Sequence, residues 1–148
     1  MSDAGTERHG PPGRPPEAAE RRLYDEALAA AEHAYAPYSG YRVGAVAVSS
    51  SGRRHSGVNV ENAASPAGLC AERAALAALV AAGERDVRAV AVAAADGSDC
   101  LPCGLCLQAL AEFGDPDLVA RTDGDVVVVR LRKLLTVPFA LPGERSDG

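Results

Sequence analysis

The sequence predicts an α/β protein, a three-layer α/β/α sandwich around a mixed five-stranded sheet. Its 148 residues suit a single domain, and 47% of them are hydrophobic, so the chain can bury a core. Candidate elements follow the order α-β-β-α-β-α-β-β-α, which places helices against both faces of one sheet. The sequence contains no internal repeat.

The first predicted element is a helix that begins near Glu17. Small and apolar residues recur from there at helical spacing, and Pro16 suits the first turn of a helix. We expect the helix to end at Pro37, because proline cannot continue the hydrogen-bond ladder. Residues 1–16 hold three Gly and four Pro without apolar periodicity, which predicts a disordered tail.

The remaining elements are predicted from apolar runs and from the turn and stop residues between them. Ser51-Gly52 separates two strand-like stretches and predicts a hairpin turn. An alanine-rich stretch that ends at Gly83 favours a helix, and a second helix stops at Gly114. The predicted strands are 41–48, 54–60, 87–94, 118–121 and 125–131, and the predicted helices are 71–82, 103–113 and a turn at 132–135.

Domain organisation and net charge limit the classes of function that we expect of this chain. We expect one domain over residues 17–142, followed by a flexible terminus at 143–148. The formal net charge of −5 disfavours nucleic-acid binding and a polybasic membrane anchor. The longest apolar run, 74–82, is about half of a membrane span. With no apolar signal segment we expect a cytoplasmic protein with reduced thiols, whose four cysteines act as metal ligands or reactive groups.

Two short segments have the residue types of a catalytic metal site. Cys70-Ala71-Glu72 opens one predicted helix, and residues 102–106 (PCGLC) open another. A helix N-terminus favours the thiolate form of cysteine. Three thiolates with one open coordination position form the ligand set of a catalytic zinc ion, and a carboxylate two residues past a ligand can move protons. This combination is the signature of zinc-dependent deaminases.

A fourth cysteine leaves an alternative open. Cys100 and Cys103 have the same spacing as Cys103 and Cys106, so Cys100 could complete a closed structural zinc site. We favour Cys103 and Cys106, because they follow a proline and open a helix. Glu72 would have no purpose in a structural site, and Cys100 is then a loop thiol.

The chain resembles the small, homotetrameric, zinc-dependent cytidine deaminases. The resemblance covers about residues 24–139 and rests on segments 36–45, 57–63, 70–74 and 102–108, with Leu134, Leu135 and Phe139 near the end. It implies hydrolytic deamination of cytidine and deoxycytidine, as in pyrimidine salvage. It also implies active sites built at the interfaces of a homotetramer.

The resemblance assigns a role to each matching residue. It implies that Cys70, Cys103 and Cys106 bind zinc, that Glu72 is the proton shuttle, and that the backbone of Ala71 faces the pyrimidine. The implied substrate contacts are Asn59 and Glu61 to the ribose hydroxyls, Tyr41 at the base and Phe139 at the base of a neighbouring subunit.

Two departures from the family's pattern qualify these expectations. Leu107 stands where many members carry arginine, so we expect Arg73 alone to offset the negative charge of three thiolates on zinc. Ser65 stands where many members carry tyrosine, so we expect an aromatic contact near the site or the interface to be missing. The alternatives are a deaminase of a modified aminopyrimidine nucleoside, of the blasticidin-S type, and a catalytically silent zinc-binding partner subunit.

Overall fold

A computed structural model describes residues 13–143 of the chain. The elements follow the predicted order. They are α1 (Ala18–Ala31), β1 (Val43–Val48), β2 (Arg54–Val58), α2 (Ala71–Ala81), β3 (Ala89–Ala94), α3 (Gly104–Ala111), β4 (Asp117–Thr122), β5 (Asp125–Arg130) and α4 (Leu131–Leu134), with one 3₁₀ turn at Ser65–Ala67.

The strands form one mixed sheet in the order β2-β1-β3-β4-β5. Strands β3 and β4 are parallel, and the other neighbours are antiparallel. Helix α3 supplies the crossover that a parallel pair requires. The prediction of a mixed five-stranded sheet is confirmed. Within residues 13–143 no helix has the length and apolarity needed to cross a bilayer.

Two hydrophobic cores lie on opposite faces of the sheet. Alternate side chains of β1 and β3 point to one face or the other, as the pleat dictates. Val46 and Val48 pack with α1, whereas Ala45 and Ala47 pack with α2 and α3. The three-layer sandwich is therefore confirmed, and the helices that begin at the cysteine segments share one layer.

Gly57 allows α2 to lie directly on β2. A Cβ atom at Gly57 would stand 2.6 Å from the carbonyl oxygen of Ala71 and would also overlap the backbone of Ala75. Backbone atoms cannot move aside as a flexible side chain can, so a larger residue would separate the two elements. This close approach brings the first turn of α2 to the end of β2, where Asn59 follows.

Helix α1 ends at Ala31, six residues before the predicted stop at Pro37. Tyr35 leaves the helical path because its backbone pairs with the chain beyond β2. Its N–H donates to the carbonyl of Asn59 at 3.0 Å, and its carbonyl accepts from the N–H of Glu61 at 2.8 Å. Pairing across the fold therefore ends the helix before proline does.

The stretch predicted as a tail includes four described residues, 13–16. Arg14 exchanges two backbone hydrogen bonds with Val128 of β5, at 3.0 and 2.8 Å. Its guanidinium also makes two 2.7 Å bonds to Glu20 in the first turn of α1. These contacts place residues 13–16 against the sheet edge, whereas the tail prediction for residues 1–12 lies outside the described residues.

Candidate metal centre and active site

Three sulfur atoms converge where α2 and α3 begin. Cys70 and Cys103 are the residues that precede the first turns of α2 and α3, and Cys106 lies in the first turn of α3. Their Sγ atoms all lie within 4.8 Å of one another, and those of Cys103 and Cys106 are 3.5 Å apart. Tetrahedral zinc with bonds of about 2.3 Å holds sulfurs about 3.8 Å apart. The three thiols therefore fit a zinc ion.

The protein environment shifts the pKa values of Cys103 and Cys106 in opposite directions. Burial raises the pKa of Cys106, and the nearby Glu72 carboxylate raises it further. Burial raises the pKa of Cys103 as well, but hydrogen bonds with the backbone and side chain of Cys106 and with the backbone N–H of Leu105 lower it overall. The lowered pKa and the helix N-terminus both favour the thiolate form of Cys103, the form that binds a metal.

Glu72 lies beside the sulfur cluster without belonging to it. The residue is 4% exposed, and its carboxyl Oε2 is 3.5 Å from the Sγ of Cys106. Burial raises the pKa of Glu72, against the opposing effects of its own N–H, of Cys106 and of Arg73. A carboxyl that holds a proton more readily than usual and faces a metal site suits proton transfer.

Ala71, the buried residue before Glu72, has polar groups only in its backbone. Ala71 is fully buried and is the first residue of α2. No helix carbonyl can accept the N–H at that position, and no acceptor for it lies within residues 13–143. Its N–H therefore makes no hydrogen bond within the described residues.

Cys100 lies apart from the three converging thiols. It is buried in the core, and its N–H donates to the carbonyl of Arg121 in β4 at 2.9 Å. The group of sulfurs within 4.8 Å of one another does not include it. This placement disfavours a closed four-cysteine site.

The Asn59 side chain bridges the chain where β1 begins. Its Oδ1 accepts from the N–H of Val43 and its Nδ2 donates to the carbonyl of Tyr41, both at 2.8 Å. One N–H and one lone pair of the amide remain for a ligand. The two backbone bonds fix the orientation of this polar group.

Glu61 is held by the loop between α1 and β1. Its Oε1 accepts from the backbone N–H groups of Tyr38 and Ser39, at 3.0 and 3.1 Å, and its Oε2 accepts the Ser39 hydroxyl at 2.6 Å. The Ser39 hydroxyl, followed by the backbone bonds, lowers the pKa of Glu61. The carboxylate is thus ionised and still has a lone pair for a hydroxyl donor. Sequence reasoning missed Ser39, whose only signal was its position within segment 36–45.

An open cavity of about 520 Å³ joins several of these groups. Asn59, Glu61, Cys70 and Arg73 line it, together with Ser65. Its volume falls within the range of small-molecule sites. The pair predicted to bind ribose and one predicted zinc ligand therefore share one cavity.

Two predicted base contacts lie outside that cavity lining. The phenolic hydroxyl of Tyr41 donates to the carbonyl of Asp99 at 2.9 Å, and burial, then Cys100, raises the pKa of Tyr41 to about 12. The ring of Phe139 is 70% exposed on the chain's surface. Neither Tyr41 nor Phe139 therefore lines the cavity that holds Asn59 and Glu61.

We expect Tyr41→Phe to lower the free energy of unfolding by about 0.5–1.5 kcal/mol, the net contribution of one hydrogen bond. The aromatic ring remains, so kcat/KM should change less than threefold, roughly. Urea denaturation measures the effect. Tyr38→Phe is the control, since that ring is exposed and its hydroxyl has no partner within the described residues. Equal stability of the two variants would contradict the role assigned to the Tyr41 hydroxyl.

Comparison with known proteins identifies the family. Residues 17–122 match the cytidine and deoxycytidylate deaminase zinc-binding region. This chain belongs to that family. Zinc is therefore its cofactor, in agreement with the three converging sulfurs.

Relatives of this deaminase family member span most of its length. It is 41% identical over 126 residues to a cytidine deaminase of Mycobacterium tuberculosis, covering 83% of this chain and 93% of that one. It is 38% identical over 120 residues to a cytidine deaminase of Halalkalibacterium halodurans, covering 79% and 91%. The crystal structure of a cytidine deaminase from Burkholderia pseudomallei superposes with a TM-score of 0.74 at 41% identity, covering 80% of this chain and 98% of that one.

The deaminase fold shows where the two unusual residues lie. Leu107 is 6% exposed and its side chain packs in the hydrophobic core. Arg73 reaches the converging sulfurs, with one guanidinium nitrogen 3.8 Å from the Sγ of Cys70. The Cys70 sulfur is also the largest influence raising the pKa of Arg73. Ser65 lines the open cavity, where a tyrosine would occupy space.

Proposed function

We propose that this chain catalyses the hydrolytic deamination of cytidine and deoxycytidine to uridine and deoxyuridine, releasing ammonia. The observation that carries the proposal is the buried Glu72 carboxyl 3.5 Å from Cys106 in a group of three sulfurs that fits zinc. A structural zinc site needs no such carboxyl. The names of the relatives support the same reaction.

Proton transfer is the part of the reaction that Glu72 performs. When bound, zinc supplies the nucleophile by lowering the pKa of a water molecule to about 7. Glu72 would take a proton from the water that attacks C4 of the cytosine ring and deliver it to N3. Glu72 would then carry the proton of the new C4 hydroxyl to the amino group, so that the C4–N bond breaks, ammonia leaves and C4 keeps a carbonyl oxygen. Water and cytidine are thereby converted to uridine and ammonia.

Sugar binding holds the base in place. Asn59 and Glu61 are oriented by the backbone of the β1 region, so they need no rearrangement to receive the ribose hydroxyls. The backbone N–H of Ala71 is available to the pyrimidine. Binding energy from the sugar then positions C4 at the reacting centre.

A homotetramer with active sites at subunit interfaces is the second part of the proposal. Several apolar side chains close to the candidate metal centre are exposed, as is typical of an interaction surface. Val60 and Leu69 line the cavity together with Cys70, and Leu101 and Leu105 lie within two residues of Cys103 along the chain. Phe139 would enter the base pocket of a neighbouring subunit. Sedimentation equilibrium tests this assembly, with a four-chain mass in support and a monomer against it.

A cytoplasmic location and a role in pyrimidine salvage complete the proposal. Four free cysteines, three of them at the candidate metal centre, suit a compartment that keeps thiols reduced. The only partner that the proposed reaction requires is a nucleoside.

Ammonia release from zinc-loaded protein tests the reaction and its substrate. The panel is cytidine, deoxycytidine, cytidine monophosphate, cytosine and blasticidin S. We expect turnover of the first two, because Asn59 and Glu61 are positioned for an unmodified sugar. Turnover of blasticidin S alone would support the modified-nucleoside alternative. Ser65 lines the cavity and is smaller than tyrosine, so it leaves space there for a larger substrate. No turnover of any member by zinc-loaded protein would support the silent-subunit alternative.

A further inference from the structure

The segment after α4 has a regular pattern of exposure. Val137, Phe139 and Leu141 are 69%, 70% and 56% exposed, whereas Pro138 and Ala140 between them are half-buried. This alternation is that of an extended chain lying against a surface. A shift by one residue would turn Phe139 inward, so the presentation of its ring depends on the register of the segment.

One side chain fixes that register. Gln108 of α3 donates from Nε2 to the carbonyl of Phe139 at 3.0 Å and accepts the N–H of Phe139 on Oε1 at 2.9 Å. Within the described part of the chain, these are the only hydrogen bonds made by residues 136–143. A primary amide matches one backbone N–H and C=O pair, so it selects a single residue of the segment.

The same helix carries zinc ligands. Cys103 precedes the first turn of α3, and Cys106 lies two residues before Gln108. Helix α3 therefore carries two of the converging sulfurs and, through Gln108, also holds the backbone of Phe139. Exposed Leu105, between the two cysteines, continues the apolar surface.

We infer that Gln108 is a positioning residue that fixes the C-terminal segment in the register that presents Phe139 to the base pocket of a neighbouring subunit. The inference rests on the proposed function. Gln108 acts through Phe139 and touches neither zinc nor substrate. Its contribution should therefore disappear when the Phe139 ring is absent.

A double-mutant cycle on the zinc-loaded protein tests this coupling. The variants are Gln108→Ala, Phe139→Ala and the double variant, with kcat and KM for cytidine measured separately. We expect Phe139→Ala to raise KM roughly threefold to tenfold, the worth of one aromatic contact. Gln108→Ala should raise KM in the same direction and by less, and the double variant should equal Phe139→Ala. Multiplicative effects, or an unchanged KM in Gln108→Ala, would overturn the inference.

Two further measurements distinguish the effect of the Gln108–Phe139 hydrogen bonds from an effect on packing or on metal binding. Gln108→Glu keeps the size and the acceptor but sets a carboxylate oxygen against the Phe139 carbonyl, so it should behave like Gln108→Ala. Wild-type behaviour in Gln108→Glu would overturn the inference, as would loss of zinc in Gln108→Ala. Glu112→Ala, at the exposed end of α3, is the matched control and should leave KM unchanged.

Hydrogen exchange distinguishes failure of the inference from failure of the proposed function. The Phe139 N–H should be protected in wild type and lose protection in Gln108→Ala. If the Phe139 N–H stays protected in Gln108→Ala, the inference is overturned, whatever the activity of that variant. A wild-type protein that releases no ammonia from cytidine would overturn the proposed function, and with it the role of Gln108 in catalysis.

Discussion

Glu72→Gln is expected to reduce kcat for cytidine by about 10²–10⁴-fold, the range that general acid–base catalysis supplies. The amide has nearly the size of the carboxyl but cannot carry a proton between water, N3 and the leaving amine. The three converging cysteines are untouched, so we expect zinc content to stay at the wild-type level. Steady-state ammonia release and metal analysis of the same sample measure both quantities.

The control for this variant is Glu112→Gln, which changes an exposed carboxyl at the end of α3 and should leave kcat unchanged. A Glu72→Gln protein that holds zinc and retains kcat within roughly threefold of wild type would contradict the assigned proton transfer. Loss of zinc in the variant would instead mean that Glu72 supports the metal site.

Arg73→Ala is expected to lower zinc affinity or kcat/KM by about 10- to 100-fold, the usual cost of removing a group that supports metal ligands. Zinc with three thiolates carries a net negative charge, which weakens its action on water. Arg73 contacts the Cys70 sulfur at 3.8 Å, while Leu107 is turned into the core. Within the described residues, no other cationic side chain makes a hydrogen bond to these sulfurs.

Arg73→Lys separates charge from geometry, because lysine keeps the charge but loses the planar fork. We expect an intermediate effect on zinc affinity, measured by competition with a chromophoric chelator. Arg22→Ala, which removes an exposed cation of α1, should have no effect. Normal zinc affinity and normal turnover in Arg73→Ala would contradict the compensation argument.

Local sequence patterns were sufficient to predict the architecture. The apolar run of β3 predicted a strand buried on both faces, and five of its six residues are buried. The end of α1 was predicted wrongly, because Tyr35 pairs with residues that lie more than twenty positions away. Propensity and proline positions carry no information about such pairing.

The convergence of three cysteines could be predicted from the sequence, because metal binding dictates their spacing. Cys70, Cys103 and Cys106 were chosen for their positions at helix starts, and the fold brings their sulfurs together. The contact of Ser39 and the hydrogen bonds of Gln108 could not be predicted from the sequence. Their partners, Glu61 and Phe139, lie 22 and 31 residues away, and these contacts follow only from the packed fold.

Stepwise return of zinc to metal-free protein, followed by ammonia release from cytidine, tests the central claim most directly. The account predicts no turnover without metal, a linear rise in rate as zinc is added, and a break at one zinc ion per chain, the stoichiometry of a single catalytic site. A metal-free protein that deaminates cytidine at the full rate would contradict the account. So would a protein that binds one zinc ion per chain and releases no ammonia.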